Sequence, residues 1–128
     1  MGVGLLDHVN IRTCMLQDTV RFYEDVLGLK QGPRPEFPFP GAWLYSDGKA
    51  VVHLVDISPT GEQQKPDSGV VHHVAFTSTG FAGMKRHLQA IGVAFDAREV
   101  PGGELWQIFV RDPNGVMIEL NYETANER

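Results

Sequence analysis

Polar and apolar residues alternate at the start of the chain. In Leu6-Asp-His-Val-Asn-Ile-Arg-Thr13, Val9 and Ile11 fall on one face of an extended strand, and His8, Asn10 and Arg12 on the other. From Cys14 to Leu29 the period lengthens. Val20, Tyr23, Val26 and Leu27 recur at helical spacing and predict a buried stripe. Asp18 or Thr19 offers an N-cap, and Gly28 offers a stop. Prolines crowd Gln31–Gly41 and predict an irregular loop, because proline fixes φ and removes a donor. Ala42–Tyr45 and Ala50–Asp56 predict strands hinged at Asp47-Gly48. Residues 58–69 carry no apolar period and predict a linker.

After the linker the pattern restarts. His72–Ser78 predicts a strand. Phe81–Ile91 predicts a helix with Met84, Leu88 and Ile91 inward and Gly92 at its end. Val93–Ala97 and Leu105–Val110 read as strands around a turn at Val100–Gly103. Asp112-Pro-Asn-Gly115 reads as a tight turn and Val116–Tyr122 as the last strand, before a polar tail expected to fray. Each half holds too little sheet to bury a good core alone. The two halves are expected to share a curved mixed sheet, with helices on its outer face and the polar faces of the histidine-bearing strands in one concavity. The chain thus reads as a single domain over residues 1–128, with half-modules of about 1–57 and 70–123 and a linker at 58–69.

The halves also repeat in their chemistry. Val71-His-His-Val-Ala-Phe-Thr-Ser78 echoes the first strand, and Arg111-Asp-Pro-Asn-Gly-Val-Met-Ile-Glu-Leu120 echoes Tyr45-Ser-Asp-Gly-Lys-Ala-Val-Val-His-Leu54. In that register His8 pairs with His73, and His53 with Glu119. All four are metal-ligand types, and a structural repeat by itself requires no such match. Each alternates with apolar neighbours, so all can face away from the core together. Neutral imidazoles and an ionised carboxylate suit a borderline divalent cation: Ni, Co, Fe, Mn or Zn. His72 has the opposite parity from His73 and reads as a non-ligand. His87 reads as a solvated helix residue.

Composition narrows the class. The chain has 128 residues, 42% of them hydrophobic, and a net charge of −5, which fits a globular domain and no nucleic-acid partner. No apolar run approaches the roughly 20 residues of a membrane span. The first residues lack the zones of a signal peptide, and Leu6 stands where a myristoylation signal needs Ser or Thr, so a cytoplasmic location is expected. Cys14 is the single cysteine, which rules out an internal disulfide.

Four stretches, in this order, resemble the vicinal oxygen chelate superfamily, which includes glyoxalase I, methylmalonyl-CoA epimerase, fosfomycin-resistance transferases, extradiol dioxygenases and bleomycin-resistance proteins. They are Asp7-His-Val-Asn-Ile11, Phe22-Tyr-Glu-Asp-Val-Leu-Gly-Leu29, His73-Val-Ala-Phe76 and Asp112-Pro-Asn-Gly-Val-Met-Ile-Glu-Leu120, and the resemblance covers nearly the whole chain. It implies an α+β fold of two βαβββ modules forming a half-open barrel of mixed sheet around a metal ion. It implies that His8, His73 and Glu119 match three ligand positions. His53 falls at the fourth, which the glyoxalase and epimerase branches fill with Glu or Gln, whereas extradiol dioxygenases use only a His, His, carboxylate set. Arg12 resembles an arginine that glyoxalases place near the glutathione carboxylate. Ile57 stands where that branch has a glutathione-contacting Asn, and Gly69 where some members have a second Arg, which leaves the glutathione site incomplete. The potassium-binding loop of fosfomycin transferases is not evident. The resemblance also implies a homodimer; if sites are shared, His8 and His53 would meet the partner's His73 and the partner's Glu119.

The leading reading is a metal-dependent glyoxalase-type isomerase, lyase or epimerase. Its small substrate would chelate the cation through two adjacent oxygens, and Glu119 or His53 would move a proton from the neighbouring carbon. An alternative is an extradiol dioxygenase using His8, His73 and Glu119, with His53 as an acid–base group. In that reading Phe37, Phe39, Trp43 and Trp106 would wall an apolar substrate pocket. A third reading is a non-catalytic, drug-binding resistance protein, whose ligand needs no metal donors.

Overall fold

The computed structural model describes residues 1–127. The chain divides into two compact units, Met1–Lys65 and a second beginning at Pro66, so the boundary falls inside the expected linker. Each unit is a βαβββ module with its own four-stranded sheet, where a single shared sheet was expected.

In the first module the strand order is β1 (Val9–Thr13), β4 (Lys49–Asp56), β3 (Gly41–Ser46), β2 (Lys30–Gly32). β1 runs parallel to β4, and the other pairs are antiparallel. A helix must therefore carry the chain from β1 across to the far edge. That helix, α1 (Leu16–Arg21), starts earlier than the cap residues Asp18 and Thr19 predict. The Thr13 hydroxyl accepts the Met15 N–H at 2.9 Å, and the Thr19 hydroxyl donates to the Met15 carbonyl at 2.7 Å, which draws Thr19 into the core. α1 runs directly into a π-helical turn, Phe22–Val26. The extra residue in that turn rotates the apolar face, so Phe22 joins Val20, Tyr23 and Val26 in the core while Leu27 is only half-buried. Gly28 then closes the helix at φ 76°, and the Leu29 N–H reaches the Tyr23 carbonyl.

β2 takes up Gln31 and Gly32, which the proline pattern assigns to a loop. Its residues are polar or small and leave no alternating signal, yet they pair with Trp43–Tyr45. Gly32 is required there, since a Cβ would lie 2.8 Å from the Tyr45 ring. The Asp47-Gly48 hinge is as expected, with both residues at positive φ. The segment expected as linker is partly structured. Ser58–Thr60 forms a 3-10 turn, the Gln64 side chain accepts the Cys14 N–H, and Arg12 pairs with Glu62.

The second module repeats this order: β5 (His73–Ser78), β8 (Met117–Glu123), β7 (Leu105–Arg111), β6 (Asp96–Glu99), with β5 parallel to β8. α2 (Phe81–Ala90) buries Leu88, and its Phe81 ring packs on Trp106 and Tyr122. Met84 is half-buried as an inner residue would be, but Ile91 is exposed: the helix has ended, and Gly92 at φ 72° turns the chain so that the Val93 N–H bonds the Leu88 carbonyl. That closure occupies Val93, and strand pairing begins only at Asp96. The tail is ordered rather than frayed. Thr124–Asn126 forms a 3-10 turn, and the Glu127 carboxylate accepts the N–H groups of Gly80 and Phe81, capping α2. Among the described residues, no helix is long and apolar enough to cross a membrane.

Tyr122 supplies a test of the second core. Its ring is buried, its hydroxyl lacks a well-formed hydrogen bond, and burial pushes the phenol up to about 12, with Ser78 only partly offsetting it. Because the phenol's pKa is raised by folding, its contribution to stability is full below pH 10 and is lost as pH rises towards 12. In chemical denaturation Tyr122→Phe is expected to stay within about 1 kcal/mol of the parent at neutral pH and to lose stability less steeply in that alkaline window. Tyr122→Ala is expected to cost about 3–5 kcal/mol. A Phe variant as damaging as the Ala variant would show that the hydroxyl matters.

Candidate metal centre

The two parallel ladders place the candidate ligands at matching points. Val9 lies opposite Val52 in the first module, and Val74 opposite Ile118 in the second. Asn10 faces His53, and its counterpart Ala75 faces Glu119. His8 immediately precedes β1, and its counterpart His73 opens β5. In each module a histidine on the edge strand thus reaches diagonally across to the next side chain on the same face. The His8 and His53 rings stack, with centroids 3.7 Å apart. His73 Nε2 lies 3.3 Å from Glu119 Oε1.

The residue before each edge histidine orients it. Asp7 Oδ2 meets His8 Nδ1 at 2.6 Å, and His72 Nδ1 meets His73 Nδ1 at 2.9 Å. The His8 hydrogen bond, followed by Lys49, holds the Asp7 carboxyl below the usual range. Both arrangements leave Nε2 of the ring turned away from its orienting partner, the pattern by which metal-binding imidazoles are commonly held. Strand parity gave no sign of Asp7 or His72 in this role, because both lie outside the strands. Their one signal is that they occupy equivalent positions in the repeat.

His53 is the most enclosed of the imidazoles. Trp43, directly opposite it on β3, stacks on its other face at 3.9 Å, so the ring is held between His8 and Trp43. Burial first, then the neighbouring His8, pull its pKa below the usual 6.5; a hydrogen bond to the Ala50 carbonyl and the Asp7 charge act in the other direction. The lowered value favours the neutral ring, the form that binds metals or accepts a proton.

In the second module the donor spacing suits a divalent cation, whereas in the first the stacked His8 and His53 rings hold their in-plane lone pairs in parallel planes rather than towards one ion. Two donors bound at about 2.1 Å on one cation lie roughly 3.0–3.4 Å from each other, and the His73–Glu119 separation falls in that range. Each module offers only a pair, however. Among the described residues, no group of three or more His, Cys, Asp or Glu side chains is gathered to hold a metal ion.

The expected substrate-contacting residues divide. Phe37, Phe39 and Trp43 border a pocket of about 140 Å³ that also touches Asn10, Arg34 and His53. Trp106 belongs to the second module. It shares the face of Ile108 and Val110, opposite to Glu119, and packs on Phe81, so core packing accounts for it. Arg12 lies on the His8 face, but its guanidinium is held by Glu62 at 2.8 Å. Arg34, which sequence reasoning passed over within the proline loop, is the cation that borders the pocket.

A family model described as the Glyoxalase/Bleomycin resistance protein/Dioxygenase superfamily matches residues 5–120. The chain belongs to this superfamily. It is similar to Glyoxylase I 4 of Arabidopsis thaliana, 29% identical over 90% of this chain and 68% of the relative. It is equally similar to a lactoylglutathione lyase of Haemophilus influenzae, 29% identical over 88% of both chains. In structure it resembles a fosfomycin resistance protein from Listeria monocytogenes, with a TM-score of 0.72 and 18% identity over 95% of this chain and 94% of the other. That last likeness concerns the fold alone, which is glyoxalase-like.

The His8–His53–Trp43 stack generates a direct prediction. In a titration followed by histidine ring NMR, His53 should titrate below 6.5, and His8→Gln should move its midpoint upward. Since folding lowers this pKa, the stability linked to His53 is present above 6.5 and is lost as pH falls. A parent midpoint at or above 6.5 would contradict the enclosed ring.

Proposed function

We propose that this protein is a metal-dependent enzyme of glyoxalase type, an isomerase, lyase or epimerase acting on a small substrate with two adjacent oxygens. The observation that supports it best is the pairing of His8 with His53 and of His73 with Glu119 at equivalent points of the repeat. Two donors alone would hold a cation weakly, so tight binding needs ligands beyond a single pair. When bound, the cation would supply Lewis-acid polarisation of the substrate's oxygens, an effect worth several kcal/mol in general.

The chain's own groups would do the rest. Asp7 and His72 would keep the edge imidazoles oriented. His53, neutral near neutral pH, and the Glu119 carboxylate are the two groups able to accept a proton from the carbon beside the substrate's oxygens. The wall formed by Phe37, Phe39 and Trp43 would exclude water from one side of the reaction.

The test combines loading with substitution. Chelator treatment should abolish turnover of α-hydroxy-carbonyl or hemithioacetal substrates, and one of Ni, Co, Fe, Mn or Zn should restore it. His73→Gln and His8→Gln, one from each module, should each lower bound metal and reduce turnover about 100-fold or more. Turnover that survives chelation, or metal content unchanged in either variant, would contradict the proposal.

A further inference from the structure

The pocket beneath the proline loop of the first module is more specific than an apolar wall. The loop is tied at both ends: the Tyr45 hydroxyl donates to the Pro33 carbonyl, and the Asp56 N–H donates to the Pro40 carbonyl at 2.9 Å. Between the ties, the Phe37 and Phe39 rings stack with centroids 5.1 Å apart. The Arg34 guanidinium lies against both, 5.1 Å and 5.2 Å from their centroids, and its Nη2 donates to the Phe39 carbonyl at 2.8 Å. Gly41 makes room for it, since a Cβ there would lie 3.0 Å from that same Nη2 and 2.2 Å from the Leu54 carbonyl oxygen. The guanidinium is therefore fixed before any ligand arrives, with N–H donors left over. No carboxylate side chain is among the residues lining the pocket, and Asn10 adds an amide.

The volume limits the ligand. About 140 Å³ is close to the ~150 Å³ cavity that accommodates a benzene molecule. The exposed faces are aromatic, with Phe37 and Trp43 rings 6.5 Å apart and tilted by 49°. We propose that this pocket binds an aromatic carboxylate: one ring against Phe37 and Trp43, and the carboxylate on Arg34 with Asn10. The fixed positive charge selects against cations. This names a substrate class for the reading above and rests on that reading only for the ligand's role as substrate. Binding itself needs neither the cation nor any residue of the second module.

The experiment uses the chelator-treated protein carrying Trp106→Phe, which leaves Trp43 as the fluorescent reporter. Benzoate is titrated against its neutral isostere, benzamide. Saturable quenching by benzoate, at least about tenfold tighter than by benzamide, is expected. Arg34→Gln should weaken benzoate binding about tenfold or more and leave benzamide unchanged. Benzoate binding no tighter than benzamide, or unaffected by Arg34→Gln, would overturn the assignment. Should circular dichroism show that Arg34→Gln fails to fold, the comparison of benzoate with benzamide on the Arg34 protein decides alone. Arg34-dependent benzoate binding without any metal-dependent turnover would sink the functional reading and leave the pocket standing; turnover without it would do the reverse.

Discussion

Parallel pairing of the first and last strands of each module is the constraint from which the candidate chemistry follows. In β1–β4 and in β5–β8 the ladder fixes which side chains share a face and how far apart they lie. A slip of one residue would turn His53 or Glu119 into the core and expose Val52 or Ile118. The buried neighbours resist that slip: Val52, Leu54, Ile118 and Leu120 are all almost fully removed from water. Apolar burial on one side of each sheet thus sets the position of polar donors on the other. Moving a Leu or Ile side chain out of water costs roughly 1.5–3 kcal/mol, so each strand carries several such locks.

The two modules use the same frame for different ends. In the first, His53 sits between two rings and next to an aromatic pocket, and its pKa is pulled down by burial. In the second, the equivalent point holds a carboxylate against His73, with Phe109 rather than a tryptophan opposite it. One half is thereby suited to a neutral imidazole and a planar ligand, the other to an anionic donor.

Much of this was legible in the residues. The period-2 runs around His8, His53, His73 and Glu119, the Asp47-Gly48 hinge and the restart after residue 69 carried the main strands and the repeat, but not the order of the strands or their division into two sheets. What escaped had weak or non-local signals. β2 is three polar or small residues, paired only because Trp43–Tyr45 lies alongside. The π-helical turn at Phe22–Val26 changes the period within one helix, which a fixed helical template assigns to Leu27. Glu127 caps a helix that begins far back in the chain. Trp106 was assigned to a pocket wall by residue type, yet its parity with Ile108 already places it towards the core. Arg12 was assigned to a ligand without reference to Glu62, whose approach depends on how residues 58–64 fold back onto β1.

The proposal to be tested is that His8, His53, His73 and Glu119 serve as metal ligands. X-ray absorption spectroscopy of the protein loaded with one equivalent of Ni²⁺ measures this without reference to substrate. Scattering is expected from three imidazoles, those of His8, His53 and His73, and from at least one carboxylate oxygen, with loss of a single imidazole in His73→Gln. A spectrum with no more than one imidazole, or one that His73→Gln leaves unchanged, would contradict it.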